Sequence, residues 1–424
     1  MKPPIGPAAG LPPVIVLNLF HSGLGIVRQL AGRGVRVVGL SANHRIYGNF
    51  TRFCEVREAP NSQEEPQQLF DYLLRASDEL IGAIIFPTRD ADLLFLDRFR
   101  GDLEKLYKLA IPPRSVLSRL IDKGALAEAA TEAGISIPRT ALVSEQAHLE
   151  KVASLVGFPC VVKPVRSIHW RHGNHWKEVG GRKAFRVENF VQLQEAYDRI
   201  SPVRAEVLLQ EWIPGGTDQI VVWGGYVKLG QEPQAHFTAR KLVQSPDEFG
   251  TGCVVESFHI PDLLEPSLRL CRVLGYEGIA EVEYKRDARD GALKLIEINA
   301  RHWDWHELSR VSHANLTWSA YCDLTGIPAQ SAGLPVQRAK WIAEDALLTH
   351  ILASFYGGQS RSLHLWSALA GRRVYGIFAW NDPLPFLRYS VTTLLPGLAR
   401  VAIGKIRRSI LGTVEVKRAR TALS

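Results

Sequence analysis

Cysteine is scarce in this chain and never paired for chemistry: Cys54, Cys160, Cys253, Cys271 and Cys322 are an odd, scattered five with no CxxC spacing. That excludes a disulfide framework and a thiolate zinc site, and it points to a reducing, cytoplasmic compartment. No uninterrupted apolar run approaches the roughly twenty residues that cross a bilayer. Residues Met1 to Pro13 are rich in Pro and Gly with one Lys, which is not the build of a secretory signal. Internal repeats and low-complexity blocks are missing as well, so collagen-like, coiled-coil and disordered readings are removed.

The 424 residues, 46% hydrophobic and 22% charged, are enough for a sizeable core; at about 100–200 residues per domain they predict two to four domains. Charge is distributed unevenly. From Pro335 onward thirteen Lys/Arg stand against four Asp/Glu, so with a net charge of +8 the remainder of the chain carries −1.

Val14 to Asn18 is a β-branched run followed by a glycine loop, a helical pattern through Leu30 and a second buried run, Val35 to Leu40. A third run at Ala83–Phe86 ends in Pro87-Thr88-Arg89-Asp90. This β-loop-α-β pattern predicts a small doubly wound parallel sheet over residues 14–111. The loop is not a dinucleotide fingerprint, because Arg28 stands at the third glycine position and Ser41-Ala42-Asn43 offers no acid to a ribose. After the linker Ile111-Pro112-Pro113, a helix is expected from Ser115 to Ala133, then alternating strands and helices to about residue 330.

Four separated elements carry chemistry when taken together. Val161-Val162-Lys163-Pro164 fixes a cation at the end of a strand, where it can neutralise phosphates. Val207 to Gln210 runs through Glu211-Trp212-Ile213 into the turn Pro214-Gly215-Gly216, with Asp218 beyond it; such a segment can present backbone groups to an adenine edge and a carboxylate to a ribose. Ile279–Tyr284 and Leu293–Arg301 read as two strands joined at Asp290-Gly291. Period two places Glu297, Asn299 and Arg301 on one face, with Glu283 able to oppose them. Acids inside an apolar strand need a cationic partner, and three such oxygens suit magnesium, or manganese in its place. The fourth element, Thr238-Ala239-Arg240-Lys241 leading into Phe249-Gly250-Thr251-Gly252, suits a phosphate or substrate clamp.

In this order the elements resemble the ATP-grasp superfamily, in particular its carboxylate–amine ligase-like members and the carbamoyl-phosphate synthetase large-chain module. The resemblance covers roughly residues 14 to 330 and is most specific at Glu297-Ile-Asn299-Ala-Arg301. It implies an α/β (α+β) architecture: a flexible lead at 1–13, a pre-ATP-grasp domain at 14–111, a two-part ATP-grasp domain at 112–330 with its lid at about 150–213, and a basic extension at 331–424. It further implies ATP as cofactor, with Lys123 and Lys163 on the phosphates, Glu211, Trp212 and Ile213 at the adenine hinge and Asp218 on the ribose. Glu283, Glu297 and Asn299 would hold the metal. Arg301, with Arg240 or Lys241, would stabilise the transferred phosphoryl group. The expected reaction activates a small carboxylate as an acyl phosphate for attack by an amine; alternatives are a carboxylase, a thiol ligase, or a nucleotide- or membrane-binding protein without ligase activity.

Two stretches depart from the family pattern. The loop Val165–Trp176, with Arg166, His169, Arg171, His172 and His175, is bulky and basic where the family is rich in Gly and Ser. His302-Trp303-Asp304-Trp305-His306 puts aromatics beside Arg301, either as a substrate pocket with His306 as proton acceptor or as packing. The tail, with Arg400, Lys405, Arg407, Arg408, Lys417, Arg418 and Arg420 among apolar residues, fits either an amphipathic contact with an anionic membrane or a helix on the body. Nucleic acid is not expected, since no binding motif accompanies the charge.

Overall fold

A computed structural model describes residues 10–165, 170, 175–200, 206–328, 338–356 and 367–398. Three sheets organise them. The first is parallel and five-stranded, in the order β3-β2-β1-β4-β5, from Val14–Leu17 (β1), Val37–Ser41 (β2), Glu55–Glu58 (β3), Ile84–Phe86 (β4) and Lys108–Leu109 (β5). Its central strands are apolar throughout and wholly buried, as expected for parallel strands covered on both faces. The glycine loop is a tight strand-to-helix turn, because a side chain at Gly23 would collide with the Asn18 carbonyl.

The second sheet is antiparallel, in the order β6-β9-β7-β8: Thr140–Val143 (β6), Cys160–Pro164 (β7), Phe185–Val187 (β8) and Val207–Glu211 (β9). It closes over its own apolar cluster, which includes Trp170, Phe185 and Leu209. The third sheet has seven strands in the order β14-β13-β10-β11-β12-β15-β16. These are Ile220–Val227 (β10), Ala235–Ser245 (β11), Thr251–Ser257 (β12), Gly278–Arg286 (β13), Leu293–Asn299 (β14), Lys340–Ile342 (β15) and Arg373–Tyr375 (β16).

The helix expected over Ser115–Ala133 is two helices, Arg114–Ile121 and Lys123–Glu132. Asp122 divides them, accepting hydrogen bonds from the amides of Gly124 (2.8 Å) and Ala125 (3.0 Å) as an N-cap. Described residues past 338 extend the large sheet: β15 pairs with β12 and β16 with β15. Within it Asp382, fully buried, receives Arg28 of the first helix at 3.3 Å, the Thr51 hydroxyl at 2.8 Å and the Arg52 amide at 3.1 Å. Among the described residues no helix is long and apolar enough to cross a membrane. Residues 1–9 of the lead and the basic residues from Arg400 to Arg420 lie outside the described ones, as do Arg166, His169, Arg171 and His172 of the loop after Lys163.

Candidate active site

The β13–β14 hairpin sets the register on which the site depends. Glu283 stands opposite Glu297, and Glu281 opposite Asn299, so all four share one face of the large sheet. On the next strands Glu283 faces Val222 and Val222 faces Ala239. Two residues beyond Ala239, Lys241 points to that same face and reaches Glu283 with its Nζ at 2.5 Å. The Asn299 amide donates to Glu281 (2.9 Å) and to Glu297 (3.2 Å).

Three acids around one lysine leave an excess of negative charge in a buried place. Its effect appears in the proton affinities. Burial and the neighbouring Glu283 push Glu281 up to about 8. Burial also raises Glu283 despite Lys241. For Glu297, burial is outweighed by Lys241, the Asn299 amide and Lys183, and its carboxyl is held below the usual range. Among the described residues no three acidic, His or Cys side chains converge closely enough to hold an ion unaided. The donor set is nevertheless one that suits magnesium, which takes one or two carboxylates and completes its shell with phosphate oxygens and water.

The lysines of two other elements come close enough to feel the charge of Glu297. Lys163, at the end of β7, donates to Gln210 Oε1 at 2.7 Å; burial and the charge of Lys123 bring it down to about 7, while Glu297 opposes that shift. Lys123, first residue of its helix, reaches the Pro164 carbonyl at 3.5 Å and is likewise lowered by burial. Two part-buried lysines side by side, both sensing Glu297, suit polyanionic phosphates. Arg301 lies just beyond β14, not on it, and its Nε holds Asp90 of the first domain at 2.7 Å.

The hinge residues divide. Glu211 accepts hydrogen bonds from Arg289 (2.6 Å) and the Arg139 amide (3.2 Å); burial opposes this charge, but Arg289 keeps its carboxyl low. Trp212 is covered by Arg186 at 3.9 Å, and Ile213 is buried. Asp218 is exposed, in the short turn after Gly215 and Gly216.

Two expectations are corrected. Arg240 is not brought to the cluster: adjacent strand residues face opposite ways, and Arg240 points through the far side of the sheet to Glu256 at 2.9 Å and over Phe258 at 4.7 Å. His306 is not a proton acceptor within reach of a substrate. It is fully buried against the first helix, where a side chain on Gly25 would lie 2.7 Å from its Cε1, and burial brings it down to about 4. Trp303 and Trp305 are core residues beside Phe237.

Three participants were not singled out from the sequence. Glu281 lies in the quoted strand, but its pairing with Asn299 requires the hairpin register. Lys183 donates to Thr251 Oγ1 at 2.8 Å, which places a cation of the small sheet near Glu283 and Glu297; the preceding Gly180 and Gly181, both at positive φ, were the available signal. Asp90, partner of Arg301, comes from a different domain.

No family model matches the chain. In sequence it is 25% identical over 266 residues to a D-aspartate ligase of Enterococcus faecium, covering 59% of this chain and 62% of that protein. It is 26% identical over 170 residues to a D-alanine–D-alanine ligase of Stutzerimonas stutzeri, covering 39% of this chain and 50% of that one. The chain thus spans less than two thirds of either relative. In structure it superposes on biotin carboxylase from Campylobacter jejuni with a TM-score of 0.60 at 16% identity, over 77% of this chain and 74% of that one. The ADP complex of N5-carboxyaminoimidazole ribonucleotide synthetase gives 0.59 at 15% identity, over 80% and 82%. The chain shares the fold of these solved structures, as the resemblance of its motifs to the ATP-grasp superfamily implies, and the relatives it is similar to in sequence are named as ligases.

Proposed function

We propose that the chain is an ATP-dependent ligase that activates a small carboxylate as its acyl phosphate and passes the acyl group to an amine, releasing ADP and phosphate. The observation that carries this reading is the approach of Lys123 and Lys163 to Glu297, which shares a sheet face with Glu283 and Asn299. Phosphoryl transfer needs positioning and charge neutralisation more than covalent help, and these groups supply both signs of charge. In the reading, Lys123 and Lys163 bind the phosphates, the backbone of Glu211–Ile213 borders the adenine and Asp218 meets the ribose. Glu283, Glu297 and Asn299 would hold magnesium or manganese, which would offset charge on the phosphate oxygens. Arg301, fixed by Asp90, steadies the acyl phosphate, and Lys241 takes the part that Arg240 is turned away from.

The test is ADP release by the purified chain with paired carboxylates and amines, amino acids first because the sequence relatives are named for them, with mass spectrometry of the products. Turnover dependent on both partners is expected, falling by about 10²–10³-fold in Lys163→Ala and Glu297→Ala. Full turnover in either variant sinks the assignment. The finer reading of the tail, contact of its basic residues with an anionic membrane, has a structural counterpart in the helical segment that precedes them.

A further inference from the structure

The helix Leu384–Tyr389 continues through a π-turn, Ser390–Leu394, to residue 398. One side of it is anchored: Tyr389 is buried against Tyr47, Phe386 packs on Phe378, and Arg388 lies over Phe50. The other side is apolar and, among the described residues, exposed. Leu384, Leu387, Val391, Leu395 and Leu398 recur at steps of three and four, the signature of a single helix stripe, and each is 40–64% exposed. Trp380, just before the helix, is 88% exposed. Isolated exposed apolar residues are ordinary, but a continuous stripe with a tryptophan at its head is not.

Charge identifies the occupant. From Pro383 to Ser424 the sequence holds eight basic residues and one acid. Asp382, at the head of the helix, is fully buried on Arg28 and Thr51, so its charge does not reach the surface. An apolar stripe, an interfacial tryptophan and basic flanks with scarcely an acid match the surface of an anionic bilayer, where the stripe sinks among the acyl chains and the cations meet the headgroups. A protein partner or a second copy needs no such run of one sign.

We propose that the segment Trp380–Leu398 is a membrane-docking face, which seats the enzyme flat on anionic lipid without crossing it. The contact lies in the ordered helix itself, not only in the basic tail, and it is independent of the ligase reading.

The experiment uses the full chain sedimented with phosphatidylserine/phosphatidylcholine vesicles or with phosphatidylcholine alone, at low and high salt, alongside Leu387→Glu/Val391→Glu/Leu395→Glu and the polar-side control Thr392→Glu/Thr393→Glu. All five stripe and control sites are solvent-facing, and circular dichroism checks that each variant is folded. Binding to the anionic vesicles is expected, weakened by salt, kept by the control and reduced about tenfold or more by the triple variant. Equal binding by the triple variant, or no binding by the native chain, overturns the proposal. So does light scattering that finds a native dimer and a monomeric triple variant without lipid binding, which would make the face a contact between copies.

Discussion

Lys241 and Arg240 are chain neighbours that a strand sends to opposite sides of the large sheet, and their substitutions should separate accordingly. Lys241→Met leaves Glu281, Glu283 and Glu297 without their shared cation. We predict ADP release falling by about 10²–10³-fold. Arg240→Ala removes one of two arginines from buried Glu256, while Arg338 stays at 2.8 Å; stability should fall by about 1.5–3 kcal/mol in urea unfolding, with turnover kept near native. Equal loss of turnover in both variants would contradict the assignment of faces.

Lys163 gives a second residue-scale prediction, in protons. Its free-protein value of about 7 lies below the ordinary 10.5, so between those values the unfolded chain holds the proton and the folded chain does not. The resulting penalty on folding is complete below pH 7 and fades as pH rises toward 10.5. A triphosphate beside Lys163 reverses the shift. ATP binding at pH 8 should therefore take up protons, read by calorimetry in buffers of different ionisation enthalpy, and Lys163→Met should abolish the uptake. Much of this site was legible from residue types alone, since acids inside an apolar strand demand a cation. The pairing of Glu281 with Asn299 was not, because it depends on strand register, and the approach of Lys183 had only the glycine pair before it as a signal.

At the scale of elements, the β13–β14 hairpin was readable because alternation and Asp290-Gly291 agree, with Gly291 at φ 75° as such a turn requires. The helical periodicity by itself does not show the break at Asp122, since an N-cap inside a continuous helical pattern looks like one more polar position. That cap aims the first residue of its helix, Lys123, toward Pro164. Asp122→Ala should cost about 0.5–2 kcal/mol and raise the KM for ATP while leaving kcat close to native. A rise in KM without loss of thermal stability would mean that Asp122 acts on the nucleotide directly and not through the helix.

For the whole molecule, the C-terminal segment was the part the sequence left open. Strands as short as β15 and β16 carry no alternation to read, and the Arg28–Asp382 contact joins residues 354 positions apart. Removing one partner of a buried ion pair typically costs about 3–5 kcal/mol. Asp382→Ala should therefore lower the melting temperature of the entire chain, including the first sheet, in one cooperative step. Separate melting of the first sheet at its native temperature would show that the contact is dispensable.

The same buried contact bears on how the protein is made. A ribosome releases Arg28 early, on a helix whose apolar face already wants cover, yet its carboxylate emerges more than three hundred residues later. Until then the nascent first domain must keep that guanidinium wet or borrow another acid, so its final docking waits for Asp382 to be translated.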